Sequence, residues 1–160
     1  MRKQLYFENV SVGDEVTPLL KTATHVMLVR WAGASGDFNP LHYDYFYAKA
    51  QGQPDVVTTG GLKRAWLIQL MTDWIGEWGT LTAFSCTFRA PDFPCETKTP
   101  DQLAFLGESK PGLTNWCKGK VTKKYVKDGE HCVECDIWIE NAKGEVTSPG
   151  QATVVLPSKD

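Results

Sequence analysis

The segment that most constrains this chain is GLKRAWLIQLMTDWIGEWG. Its apolar residues Leu62, Ala65, Trp66, Ile68, Leu70, Met71, Trp74, Ile75 and Trp78 cover most of the surface of a helix. A helix apolar on nearly every side belongs inside a domain rather than on its surface. The polar residues Lys63, Arg64, Gln69, Thr72, Asp73 and Glu77 gather toward its ends and one edge. Something must therefore wrap it. From Thr80 onward the pattern changes period. TLTAFSCTFRAP, QLAFLGESK, NWCKGKVTKKYV, HCVECDIWIENA and EVTSPGQATVVLP read as strands, with turns at KPGLTN, KDGE and NAKGE. Strands joined by short turns pair antiparallel. The expected fold is α+β, with a curved antiparallel sheet wrapped around one long central helix. Such a sheet has open edges, and pairing with a second subunit is the usual way to close them.

The first part of the chain is more broken. LYFENV reads as a first short extended segment, SVGDE as a turn and VTPLL as a strand. A helix follows, capped by Thr22 or Thr24 and stopped by Gly33, Gly36 and then Pro40. GDFNPLHYD is thus a loop, and YDYFYAKAQ a short helix. No linker or repeat divides the 160 residues, so residues 1–160 read as one domain.

With 17 basic and 19 acidic residues, the net charge of −2 gives no electrostatic reason to expect nucleic acid or an anionic membrane. The stretch from Ala65 to Ile75 carries Asp73 and is too short to span a bilayer. MRKQLYFENV lacks the apolar core of a secretory signal, so a cytosolic location is expected. The five cysteines are an odd number for a disulfide framework. Cys132 and Cys135 have a metal-like spacing, but they sit in an alternating strand that points them to opposite faces, and no second pair matches them. No metal is expected.

The densest chemistry lies in Gly36-Asp37-Phe38-Asn39-Pro40-Leu41-His42. Gly36 and Pro40 force a turn between an acid and a base, so Asp37 and His42 can converge. A carboxylate and an imidazole at one water are the parts needed to move water across a polarised double bond. Asn39 can orient a partner or the turn itself. Thr59-Gly60-Gly61 opens the apolar helix, where free N–H groups and the positive helix end make a ready oxyanion site. The glycines also suit a tight strand-to-helix turn.

In these residues the chain resembles the MaoC-like dehydratases, the (R)-specific enoyl-CoA hydratases. GDFNPLHYD is similar to their hydratase motif. The Gly-initiated helix ending in LMTDWIG and the later Phe88-Arg89-Ala90-Pro91 follow in the same linear order. The resemblance implies a hot-dog fold, with no cofactor beyond the coenzyme A of the substrate itself. It implies that Asp37 and His42 activate one water and that Asn39 shapes the pair. The Gly60 amide, or else that of Gly61, would stabilise the thioester oxyanion. Water would add to a trans-2-enoyl-CoA, or to an acyl-carrier-protein thioester, giving the (3R)-hydroxyacyl product. Gly61, Leu62, Lys63, Trp66 and Arg89 are the candidate substrate contacts, with Trp74 beside the acyl tunnel and Lys118, Lys120, Lys123 and Lys124 near CoA phosphates. The resemblance implies a homodimer or a heterodimer with a homologous subunit. A non-catalytic subunit and a hot-dog thioesterase are the alternatives. Thr59 stands where the family often has His or Pro. Lys63 and Arg64 follow where a small polar residue is usual, and both read as solvated charges at the helix edge.

Overall fold

The computed structural model describes residues 4–94 and 115–159. Five strands form one antiparallel sheet: β1 (Glu15–Lys21), β2 (Thr80–Cys86), β3 (Asn115–Lys127), β4 (Glu130–Glu140) and β5 (Val146–Val155). Their spatial order is β1-β3-β4-β5-β2. Three helices precede β2: α1 (His25–Ser35), α2 (Tyr45–Ala50) and α3 (Gly60–Ile75). The α+β architecture expected from the pattern is the one observed.

Local chemistry explains most element ends. Thr24, not Thr22, caps α1, its hydroxyl accepting from Met27 N at 3.1 Å. Gly33 lies inside α1, while Gly36, at φ 74°, ends it in the left-handed conformation that glycine adopts cheaply. Asp128 and Gly129 both have positive φ. They form the two-residue turn between Lys127 and Glu130, which are paired across β3 and β4. At the far end of α3, the Gln4 side chain donates to Ile75 O and accepts from Trp78 N, each at 2.9 Å. It thereby satisfies one orphan carbonyl of the last turn.

Two further expectations need correction, beside that of Gly33 as a helix stop. LYFENV is not extended throughout, because Phe7–Asn9 form a single 3-10 turn. Among the described residues its backbone bond to the sheet side is Phe7 N to Pro157 O, past the end of β5, and no ladder forms there. Trp78 does not belong to the helix surface. The helix stops at Gly76, and Trp78 is exposed. The strand expected at QLAFLGESK lies outside the described residues, as does most of the turn KPGLTN.

The core sits between α3 and one face of the sheet. Leu67, Leu70, Met71 and Ile75 pack in one cluster with Cys117 and Val121 of β3, Val133, Cys135, Ile137 and Ile139 of β4, and Ala152 and Val154 of β5. Leu67 and Met71 are fully buried. Burying a side chain of that size contributes roughly 1.5–3 kcal/mol. Cys135 shares this alternating face and Cys132 takes the other, as the period of the strand requires. Burial pushes the Cys117 and Cys135 thiols up to about 12.

Candidate active site

Asp37 and His42 come from the loop between α1 and α2. Asn39 builds the turn that joins them. Its side-chain oxygen accepts from Leu41 N at 3.0 Å, capping a 3-10 turn over Pro40–His42. Asn39 O accepts from His42 N at the same distance. Of the two roles open to Asn39, the structure displays the shaping of the turn.

Val57 and Thr59, in the stretch that leads into α3, then meet this loop. Val57 N donates to Leu41 O at 3.0 Å, and His42 Nδ1 lies 2.7 Å from Val57 O. A carbonyl can only accept, so Nδ1 carries the proton and Nε2 keeps its lone pair. Thr58 N donates to Asp92 O at 2.8 Å. Thr59 Oγ1 donates to Asp37 Oδ2 at 3.2 Å and accepts from Gly61 N at 3.3 Å. Gly60 N is left as a first-turn donor with no acceptor among the described residues.

His42 Nε2 faces Asp37 Oδ2 across 3.9 Å. That gap is too long for a hydrogen bond. It suits one water oxygen touching both. Two acceptors on one water take both of its protons in hydrogen bonds and leave its oxygen lone pairs pointing outward. The His42 side chain is 14% exposed and that of Asp37 is 44% exposed, so the imidazole is mostly covered and the carboxylate sits at the rim.

A cavity of about 280 Å³ adjoins the pair, lined by His42, Val57, Thr58, Gly60, Lys63 and the Phe88–Pro91 segment. Of the residues singled out in the sequence, His42, Gly60, Lys63 and Arg89 meet there, and Asp37 stands 3.9 Å from His42. Gly61, Leu62 and Trp66 are not among the lining residues. Gly61 packs against the Trp31 ring, where a Cβ would sit 3.3 Å from it. Leu62 and Trp66 face the core. Trp74 packs against the same core. Gly60 has a steric reason as well: a Cβ there would lie 2.7 Å from the Phe88 ring.

Lys63 overturns the expectation of a solvated edge. It is 2% exposed, and its Nζ lies 2.5 Å from Asp92 Oδ2 and 3.1 Å from Ala90 O. Position on the helix decides this: Lys63 sits one turn after Gly60, on the side that faces the Phe88–Asp92 segment. Arg64, one residue on, is exposed as expected. Of the basic residues considered for phosphates, Lys118 pairs with Glu140 and Lys123 with Glu134, each at 2.8 Å. The Lys118 hydrogen bond holds the Glu140 carboxyl below its usual range. Lys124 donates to Val10 O. Lys120 and Arg89 are exposed and carry no ion pair among the described residues.

Sequence reasoning missed Thr59 as a site residue. Its signal was available: a hydroxyl directly before a Gly-initiated helix is an N-cap, and an N-cap oxygen stands at the mouth of the helix.

The sequence profile described as MaoC like domain matches residues 9–128. The chain belongs to this family. No curated protein matches it. Among solved structures, the MaoC-like chain superposes on the (R)-hydratase from A. caviae involved in PHA biosynthesis with a TM-score of 0.74 and 21% identity, over 94% of this chain and 99% of that one. R-hydratase PhaJ1 from Pseudomonas aeruginosa gives 0.77 and 19%, over 98% and 88%. The ChsH1-ChsH2 complex from Mycobacterium tuberculosis gives 0.70 and 20%, over 91% and 98%. These likenesses establish the hot-dog fold of this MaoC-like chain. Among the described residues no helix is long and apolar enough to cross a membrane.

Proposed function

We propose that this MaoC-like protein is a hydro-lyase that adds water to a trans-2-enoyl thioester of coenzyme A or acyl carrier protein, or removes it in reverse. One observation carries this. His42 Nδ1 is committed to Val57 O, so Nε2 and the Asp37 carboxylate are two acceptors 3.9 Å apart, beside a cavity that also holds the free Gly60 amide.

A water held by that pair presents its oxygen to C3 of the substrate. As the C3–O bond forms, the pair takes one proton from the water. The C2=C3 electrons move onto the thioester, and the Gly60 N–H faces the resulting oxyanion. The proton then passes from the pair to C2, so water is consumed and both side chains return to their starting state. One such donor is typically worth about 3–4 kcal/mol of barrier. Family membership favours a (3R)-hydroxyacyl product. Thr59 holds Asp37 in place through its hydroxyl. Among the described residues β1 and β2 are the edges of the sheet, and a second copy or a homologous subunit would pair there.

The test is hydration of crotonyl-CoA and longer enoyl-CoAs, followed by loss of the enoyl absorbance. Asp37→Asn and His42→Asn, each folded, are expected to lose most of the parent's rate. A folded variant retaining near-full activity rejects the assignment. Release of free thiol with the double bond intact indicates a thioesterase instead.

A further inference from the structure

The buried ion pair at the cavity wall has no role in the water chemistry above, yet it links several of the segments that build the site. Lys63 leaves α3 one turn after Gly60 and binds Asp92 and the Ala90 carbonyl. Asp92 Oδ2 also accepts from Thr147 Oγ1 of β5 at 2.7 Å. Its backbone oxygen accepts from Thr58 N. The node thus ties together α3, strand β5 of the sheet, the Phe88–Asp92 segment and the stretch Val57–Gly60. That stretch carries the carbonyl that fixes the His42 tautomer, the hydroxyl that holds Asp37 and the free amide.

The energetics argue against stability as its reason. Lys63 is 2% and Asp92 5% exposed. Desolvating two charges costs as much as their attraction returns, so an apolar pair of similar volume is often as stable or more so. Thr58 adds to the cost, because its buried hydroxyl has no hydrogen-bond partner among the described residues. An arrangement this expensive holds groups in register.

We propose that Lys63 and Asp92 are positioning residues, which set the Gly60 amide and the Val57 carbonyl at a fixed separation across the cavity. The proposal rests on the hydratase reading for its catalytic consequence, but its geometric content can be measured without turnover.

The experiment compares the full chain with Lys63→Met, Lys63→Met/Asp92→Leu and Thr147→Val. Readouts are Tm, kcat and KM on crotonyl-CoA or the best enoyl-CoA, and amide hydrogen exchange. Lys63→Met strands a buried carboxylate and is expected to lower both Tm and kcat. The double variant restores an uncharged, filled interior. It is expected to recover the parental Tm while kcat stays about tenfold or more below the parent, with KM little changed, because a small misplacement of catalytic groups is costly. Thr58 amide exchange is expected to quicken in the double variant while that of Leu67 and Leu70 does not. Recovery of kcat and Thr58 protection together with Tm would make the pair merely structural and overturn the proposal. Should the double variant not fold, Thr147→Val removes one bond to Asp92 without stranding a charge. It is expected to lower kcat at nearly unchanged Tm and to quicken Thr58 exchange, and parental values of both overturn the proposal. If the parent hydrates no enoyl thioester, the hydratase reading fails by itself, and Thr58 exchange still decides the positioning role.

Discussion

Replacing Thr59 by Val separates two jobs that one oxygen performs. The hydroxyl donates to Asp37 Oδ2 and accepts from Gly61 N, capping α3. Valine keeps the shape and removes both bonds. Loss of an N-cap costs about 1 kcal/mol, within a range of roughly 0.5–2. A hydrogen bond to a charged group is worth roughly 1.5–3 kcal/mol. If the fold bears only the cap, Tm falls by about 2–4 °C for each kcal/mol in a chain of this size. If the bond to Asp37 is expressed in the transition state, the rate falls by about tenfold to a hundredfold, at 1.4 kcal/mol per decade. Thr59→Ser keeps the oxygen and is expected to restore both. The assay is a thermal melt beside enoyl-CoA hydration kinetics for the three proteins. A Val variant with lowered Tm and parental kcat would show that Asp37 needs no donor from Thr59. A Ser variant no better than Val would show that the two bonds of the oxygen do not by themselves account for the loss. Either result refutes the reasoning.

Other expectations follow from single distances. Gly60→Ala places a methyl against the half-exposed Phe88 ring. The ring can yield, so the protein is expected to fold but to lose about a hundredfold in kcat, and Gly60→Ala/Phe88→Ala is expected to regain part of it. Kinetics on the two variants check this. Gly150→Ala is expected to be worse for the fold, because its Cβ would enter the Ser85 carbonyl across the β2–β5 pair. Backbone cannot yield as a ring does, and a loss of about 3 kcal/mol, at the top of the usual overpacking range, should appear in urea denaturation. The thiols of Cys117 and Cys135 are pushed up to about 12 by burial. Their protons stay on in the folded chain while the unfolded chain loses them near 9. Stability is therefore expected to be intact below pH 9 and to fall as pH rises toward 12. A Cys117→Ala/Cys135→Ala variant should show a shallower fall in denaturation midpoints over that window.

What could be read from residues alone was decided by period and punctuation. The apolar surface of Leu62 to Ile75 demanded a wrapped helix, and alternation after Thr80 supplied the wrapping. The Asp-Gly turn at 128–129 and the glycine stop at 36 are local rules with local causes. The bend at Pro40 made convergence of Asp37 and His42 readable as well, and the pair stands within 3.9 Å. Lys63 was misread because its partner, Asp92, is distant in sequence and no pattern links the two. The same holds for Val57 O, a backbone atom that no side-chain inventory can flag. Phe7–Asn9 followed its tertiary neighbour, Pro157, rather than its own propensity.

The fastening of His42 to Val57 O also limits what could stand in its place. A substitute side chain must offer a donor to that carbonyl and an acceptor toward Asp37 Oδ2 at the same time. Lysine and arginine only donate, and the anions of aspartate and glutamate only accept, so each leaves a mismatch at one end. A neutral imidazole meets both demands with a single ring.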